Sequence, residues 1–84
     1  MYKVIIDKRA KKEIDKIPIQ YAKKIALAIY DLEDNPRPIS SKKLVGFDNL
    51  YRIRIGMYRI IYRIIDDILY VEVLKVGHRS AVYQ

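Results

Sequence analysis

The stretch LYRIRIGMYRIIYRIIDDILYVEVLKVG, residues 50–77, decides the fold of this chain. Runs rich in Ile, Val and Tyr are separated there by short turn sequences at 56–57 and 66–67, and Gly77 is expected to end the last run. The pattern predicts three strands, at residues 50–55, 58–65 and 68–76. Strands joined by such short turns pair antiparallel, so we expect a β-meander.

The sequence before this meander predicts one strand and two helices. Asp7 is placed to cap the first helix, Pro18 opens the second, and the proline-rich segment 35–38 stops it. We predict a strand at 1–7, helices at 9–16 and 18–34, and a loop at 39–49. The order β-α-α-β-β-β predicts an α+β fold, in which the N-terminal strand and the meander form one sheet and an antiparallel helical hairpin packs on one face.

The composition limits the class of protein. The 84 residues fit a single domain, residues 1–84, with 51% hydrophobic and 32% charged residues. Cysteine is absent, which excludes disulfides and cysteine-ligated zinc, and no apolar run approaches the ~20 residues of a membrane-spanning helix. The N-terminus has no signal-peptide pattern, so we expect a cytoplasmic protein. Seventeen Lys and Arg against ten Asp and Glu give a net charge of +7, which favours an anionic partner.

Arginines recur at alternate positions of the first two meander strands. Arg52 and Arg54 lie on one face of the first strand, and Arg59 and Arg63 on one face of the second. Whether these faces coincide depends on the hairpin register, which the sequence leaves open. A solvated sheet face is the ordinary place for one arginine, but no acidic residue between 51 and 65 offsets the set. Because arginine binds two phosphate oxygens at once, four uncompensated arginines predict a site for phosphates.

Five short sequences together resemble the RelE/ParE toxin superfamily, and its RelE branch in particular. They are Leu44-Val45-Gly46, Leu50-Tyr51-Arg52-Ile53-Arg54, Tyr58-Arg59-Ile60-Ile61-Tyr62, Val76-Gly77-His78-Arg79 and Val82-Tyr83. The resemblance implies the toxin of a type II toxin–antitoxin pair, an mRNA interferase that cuts messenger in the ribosomal A site without a metal or other cofactor. The ribose 2′-oxygen would attack the adjacent phosphate and leave a 2′,3′-cyclic phosphate and a 5′-hydroxyl.

The resemblance also implies site residues and partners. Arg59 and Arg79 would hold the scissile phosphate, and Tyr83 would orient or activate the 2′-hydroxyl or stack on a base. Arg52 and Arg54 stand where relatives commonly have lysines; because arginine stays protonated, their role narrows to charge stabilisation. Further RNA contacts are expected from Lys42, Lys43, Arg63 and His78. The implied partners are the ribosome with its mRNA, and an acidic, RelB-like antitoxin that folds as it binds.

Two other functions remain open on the sequence. A ParE-like inhibitor of DNA gyrase would share the fold, because a fold does not fix a function. A non-catalytic nucleic-acid-binding module would need only the charge and would tolerate Tyr83→Phe. The arginine set together with Tyr83 favours RNA cleavage.

Overall fold

A mixed sheet organises the protein, whose computed structural model describes residues 1–78. The elements in this range are β1 (Lys3–Ile6), α1 (Lys8–Asp15), α2 (Ile19–Asp31), β2 (Ser41–Lys43), β3 (Leu50–Ile55), β4 (Tyr58–Ile65), a 3₁₀ turn (Asp66–Ile68) and β5 (Tyr70–His78). The strand order is β1-β5-β4-β3-β2; β1 runs parallel to β5, and the other neighbours are antiparallel. The predicted α+β arrangement of a strand, two helices and a meander is confirmed.

Both helices cover the same face of the sheet. Ala10 of α1, and Ile25 and Ile29 of α2, point inward because apolar residues recur at three- and four-residue steps along the helices. They pack, with Leu32, on a buried set of strand side chains: Ile53, Ile60, Tyr62, Ile64, Val71, Val73 and Val76. The core therefore lies between the helices and one sheet face. Neither helix of the described chain is long and apolar enough to cross a membrane.

The β3–β4 hairpin has the short turn that the sequence predicts. Ile55 pairs with Tyr58, so Gly56 and Met57 form the connection. Gly56 has a φ of +58° and Met57 does not have a positive φ, which is the pattern of a type II′ turn with glycine at its first central position. This turn fixes the register, and every cross-strand neighbour of β3 and β4 follows from it.

Part of the predicted 39–49 loop is a strand. β2 pairs antiparallel with β3, and Lys42 lies opposite Arg52. The strand is three residues long, exposes two lysines at the sheet edge and buries no apolar side chain, so its sequence has no alternating pattern. Its pairing with β3 is made by backbone hydrogen bonds, which do not depend on an apolar side-chain pattern.

Both ends of the third meander strand differ from the prediction. Ile68 and Leu69, expected to open the strand, belong to a turn in which Leu69 has a φ of +54°. Gly77 does not end β5; it pairs with Arg59 inside the strand. The backbone ladder needs no side chain, so glycine keeps its pairing there.

The outer edge of β5 is covered by two different elements. β1 pairs with its first half as far as Val73, and α1 lies beside its second half. There the Glu13 carboxylate accepts a hydrogen bond from the Val76 amide, with N and Oε1 3.0 Å apart. The side chain thus satisfies an amide that β1 does not reach. Asp7 stands at the N-cap of α1 as predicted, but its side chain makes no capping hydrogen bond.

A polar cluster joins four separate segments of the chain. Asp66 accepts hydrogen bonds from Tyr2 Oη at 2.7 Å and from Arg37 Nη2 at 2.8 Å. Arg37 Nε also donates to Tyr51 Oη at 3.1 Å. The hydrogen bonds from Arg37 and Tyr2 lower the pKa of Asp66, and Asp66 in turn raises the pKa of Tyr2. The cluster ties the start of β1, the α2–β2 connection and the turn before β5 to β3.

Candidate active site

The hairpin register settles which arginines share a face. Arg54 pairs directly with Arg59, and Arg52 pairs with Ile61. Paired residues project to the same side of a sheet, and alternate residues such as Ile53 fill the core on the other side. Arg52, Arg54 and Arg59 therefore share the face that the helices leave open. We call it the arginine face; its basic side chains are Lys3, Lys42, Arg52, Arg54, Arg59, Arg63 and Lys75.

The arginines of this face differ in burial and in charge pairing. Arg52 and Arg59 are only 8% and 6% exposed, whereas Arg54 and Arg63 are exposed. Arg63 has a counter-ion, with Nη1 3.4 Å from Glu72 Oε1, so the prediction of four uncompensated arginines is wrong at this position. Glu72 lies on β5, beyond the acid-free stretch. Arg52 and Arg54 form no ion pair with the carboxylates of residues 1–78.

The pairing of Arg54 with Arg59 places two like charges opposite each other. Like charges directly opposite each other on neighbouring strands repel. A bound phosphate reverses this, because two guanidinium groups offer forked donors to its oxygens. Arginine does not give up its proton in proteins, so these side chains bind and stabilise charge rather than transfer protons. Within the described range, no His, Asp and Glu side chains are grouped to hold a metal ion.

A row of side chains crosses four strands beside this pair. Lys42 lies opposite Arg52, and Arg52 lies opposite Ile61. Ile61 in turn lies opposite Lys75 of β5. The sequence prediction missed Lys75, because plain alternation along β5 would turn it toward the core.

A β-bulge places Lys75 on the arginine face. The pairing of β5 shifts between Ile61 and Tyr62, which leaves Leu74 as an extra residue. After the bulge Val76 points into the core and Lys75 away from it. The one sequence signal is the break in the valine spacing, from 71 and 73 to 76.

Two of the predicted RNA contacts lie off the arginine face. Lys43 pairs with Tyr51 and His78 pairs with Tyr58, so both belong to the helix-covered side, at the sheet margin. The His78 ring stands edge-on to Tyr58, with the ring centroids 6.0 Å apart. The structure therefore does not bring these two side chains together with the arginines.

The end of β5 borders the arginine pair. Gly77 lies opposite Arg59 and presents no side chain there. His78 follows directly and is the last described residue. Arg79 and Tyr83 lie outside the described residues.

Known proteins match this chain over nearly its whole length. The family described as "ParE toxin of type II toxin-antitoxin system, parDE" matches residues 4–83. Toxin RelE3 of Methanocaldococcus jannaschii is 34% identical over 85 residues, which cover 96% of this chain and 94% of that protein. The mRNA interferase toxin RelE of Escherichia coli is 33% identical over 86 residues, or 98% of this chain and 90% of that protein.

Solved structures share the fold as well. A chain of the archaeal RelE–RelB complex from Pyrococcus horikoshii gives a TM-score of 0.84 at 29% identity, over 96% of this chain and 98% of that one. The isolated RelE toxin of E. coli gives a TM-score of 0.82 at 31% identity, over 99% and 92% of the two chains. From the sheet order, the arginine face and these matches, the chain belongs to the RelE/ParE superfamily of toxins, among its RelE-like members.

Proposed function

We propose that this protein is the toxin of a type II toxin–antitoxin pair and acts as an mRNA interferase, an endoribonuclease that cuts messenger in the ribosomal A site. The observation that carries the proposal is the Arg54–Arg59 pair beside the buried Arg52, on a sheet face that the helices leave open. Such a site suits the phosphate of an RNA backbone. The proposal is supported by the relative named an mRNA interferase, whose alignment covers 98% of this chain.

In the proposed reaction the ribose 2′-oxygen attacks the adjacent phosphorus, and the bond from phosphorus to the 5′-oxygen breaks. The products are a 2′,3′-cyclic phosphate and a 5′-hydroxyl. Arg59 would hold the phosphate, and Arg52 and Arg54 would stabilise the charge that grows in the transition state. Arg79 would add a phosphate contact and Tyr83 would orient the 2′-hydroxyl, two roles that rest on the family resemblance. No metal or cofactor enters the proposed reaction.

The remaining basic residues would hold RNA outside the scissile phosphate. Lys42 and Arg63 lie on the arginine face, on either side of Arg52 along the sheet. Lys43 and His78 would meet RNA only where it passes the margin of the sheet.

The proposed partner is an acidic, RelB-like antitoxin that folds on the toxin. Relatives have been solved with antitoxins, as in the intact E. coli RelBE toxin-antitoxin complex. Ile19, Leu27 and Tyr30 are exposed on α2 and offer apolar surface to a partner segment. The net charge of +7 favours an acidic one. Toxin and antitoxin would meet in the cytoplasm, where messenger is translated.

Purified protein added to translating ribosomes tests the proposal, with messenger ends mapped by primer extension. New 5′ ends inside A-site codons are the expected result, and Arg59→Ala should abolish them while the fold survives. Lys8→Ala removes one positive charge from the outer side of α1 and is the matched control, expected to cut like the wild type. Intact messenger on translating ribosomes with the wild-type protein would contradict the proposal.

A second candidate, inhibition of DNA gyrase, is favoured by the family description, which names a ParE toxin. Gyrase inhibition would need protein binding but no RNA chemistry. A supercoiling assay with purified gyrase at the same protein concentration separates the two. Cut messenger with unaffected gyrase supports the interferase, and the opposite pair of results supports the gyrase inhibitor.

A further inference from the structure

The arginine face carries an ammonium group to which the proposed reaction gives no role. Lys75 is half-buried on β5, and the bulge at Leu74 turns it onto this face opposite Ile61. We propose that Lys75 is the general acid that protonates the leaving 5′-oxygen. The inference rests on the proposed ribonuclease function.

The reaction needs such a group, because the departing 5′-oxygen must gain a proton as its bond to phosphorus breaks. Arg52, Arg54 and Arg59 cannot supply it, since a guanidinium does not release its proton in proteins. A lysine ammonium is protonated at neutral pH and gives up a proton far more readily. Lys75 therefore has a chemistry that the arginines around it lack.

The position of Lys75 fits this task. It stands two residues before Gly77, which lies opposite Arg59, so Lys75 and Arg59 are diagonal neighbours on adjacent strands. The backbones of diagonal neighbours on adjacent strands are about 7–8 Å apart. A lysine side chain and a phosphate held by Arg59 can together span this distance. Because Gly77 has no side chain, no residue of β5 in the described chain separates Lys75 from a phosphate held by Arg59.

Glu72 and Lys42, two further titratable side chains of the face, are less suited. Glu72 is engaged with Arg63 in an ion pair. Lys42 is exposed on the edge strand β2, on the far side of Arg52. Lys75 is half-buried, and it forms no ion pair with a carboxylate of the described chain that would hold its ammonium away from substrate.

The proposed step balances. The bond from the 2′-oxygen to phosphorus forms as the bond from phosphorus to the 5′-oxygen breaks, and the 2′-hydroxyl loses its proton to solvent. A proton passes from Nζ of Lys75 to the departing 5′-oxygen. The neutral amine then takes a proton from water before the next turnover.

A sulfur substitution at the scissile 5′-position tests the assignment, because a thiolate leaves without being protonated. Ribosomes carrying messenger with either 5′-oxygen or 5′-sulfur at the A-site cleavage position are cut under single-turnover conditions. With the oxygen substrate, we expect Lys75→Met to cut at least about 100-fold more slowly than the wild type. With the sulfur substrate, its rate should return to within a few-fold of the wild-type rate. Lys75→Arg, which keeps the charge and the length, should behave like Lys75→Met.

The matched control is Lys42→Met, which removes the same charge from the same row of the sheet. It should weaken substrate binding by a similar factor for both substrates and show no selective rescue by sulfur. If the wild-type protein cuts and Lys75→Met cuts at the wild-type rate, the inference is overturned and the proposed function still stands. The same conclusion follows if Lys75→Met is slowed by the same factor on both substrates. Wild-type protein that cuts neither substrate overturns the proposed function itself. Circular dichroism and thermal melting of each variant show whether its fold is intact.

Discussion

At the scale of single residues, the Arg54 and Arg59 side chains lie opposite each other on β3 and β4. The arrangement that suits the binding of an anion is one that does not favour folding. Like charges in such a direct cross-strand pair repel each other, and an anion bound between the two groups would make the pairing favourable. Two rows farther along the same face, Arg63 pairs with Glu72 in an exposed ion pair of the kind that adds little to stability. One residue type thus has two different roles on one face.

Arg54→Gln should therefore make the protein more stable while slowing messenger cleavage. Removing one of two positive charges that face each other is expected to raise the free energy of unfolding by about 0.2–1 kcal/mol. Urea unfolding in low salt measures this gain, which should shrink in ~1 M salt because the repulsion is screened. Arg63→Gln is the control, since it removes a paired arginine and should give no gain. A loss of stability in Arg54→Gln at low salt would contradict the role assigned to this pair.

At the scale of elements, the sequence is most informative where a turn sets the pattern. The β3–β4 hairpin is predictable because Gly56 marks its turn and arginine alternates with isoleucine beside it. That Arg54 and Arg59 share a face follows only from the register. β2 escapes prediction because its short, lysine-rich strand buries no apolar side chain. The position of Lys75 is not predicted because the bulge reverses which residues of β5 point toward the core. The burial of Val76 shows this reversal.

The contact between α1 and β5 depends on one carboxylate. Glu13→Ala leaves the Val76 amide without its acceptor and should lower the free energy of unfolding by about 1 kcal/mol. Glu13→Gln keeps an acceptor oxygen at the same length and should cost much less. Hydrogen exchange of the Val76 amide is the direct measurement, with faster exchange in the alanine variant than in the glutamine variant. Equal exchange rates in all three proteins would show that the hydrogen bond does not protect this edge.

At the scale of the whole molecule, the cluster around Asp66 makes stability depend on pH. The folded protein lowers the pKa of Asp66, so the carboxylate stabilises the fold above the ordinary value of about 4. That contribution is lost as the pH falls through the folded-state pKa. Asp66→Asn should be less stable than the wild type near pH 7, and the difference should narrow below about pH 4. Thermal melts across this range test it, with Asp67→Asn as the control outside the cluster.

The charge of the whole molecule predicts how RNA binding responds to salt. A protein of net charge +7 that contacts phosphates should bind single-stranded RNA less tightly as salt rises. On a plot of log affinity against log salt, each phosphate contact contributes about 0.7 to the slope. Arg54→Gln should reduce the slope by about that amount, and Lys8→Ala should leave it unchanged. Affinity independent of salt would contradict an RNA-binding role for the arginine face.

β1 is synthesised first and must pair with β5, which is synthesised last among the described strands. Lys3 meets Tyr70 across the parallel ladder, and β5 lies between β1 and β4. The first strand and both helices therefore leave the ribosome before the strand that completes their packing has been made. Contacts between such distant parts of a chain form late. A nascent chain interrupted before residue 70 already contains the β3–β4 hairpin with Arg54 and Arg59, but it lacks the strand that joins β1 to β4 and the Lys75 that this strand carries.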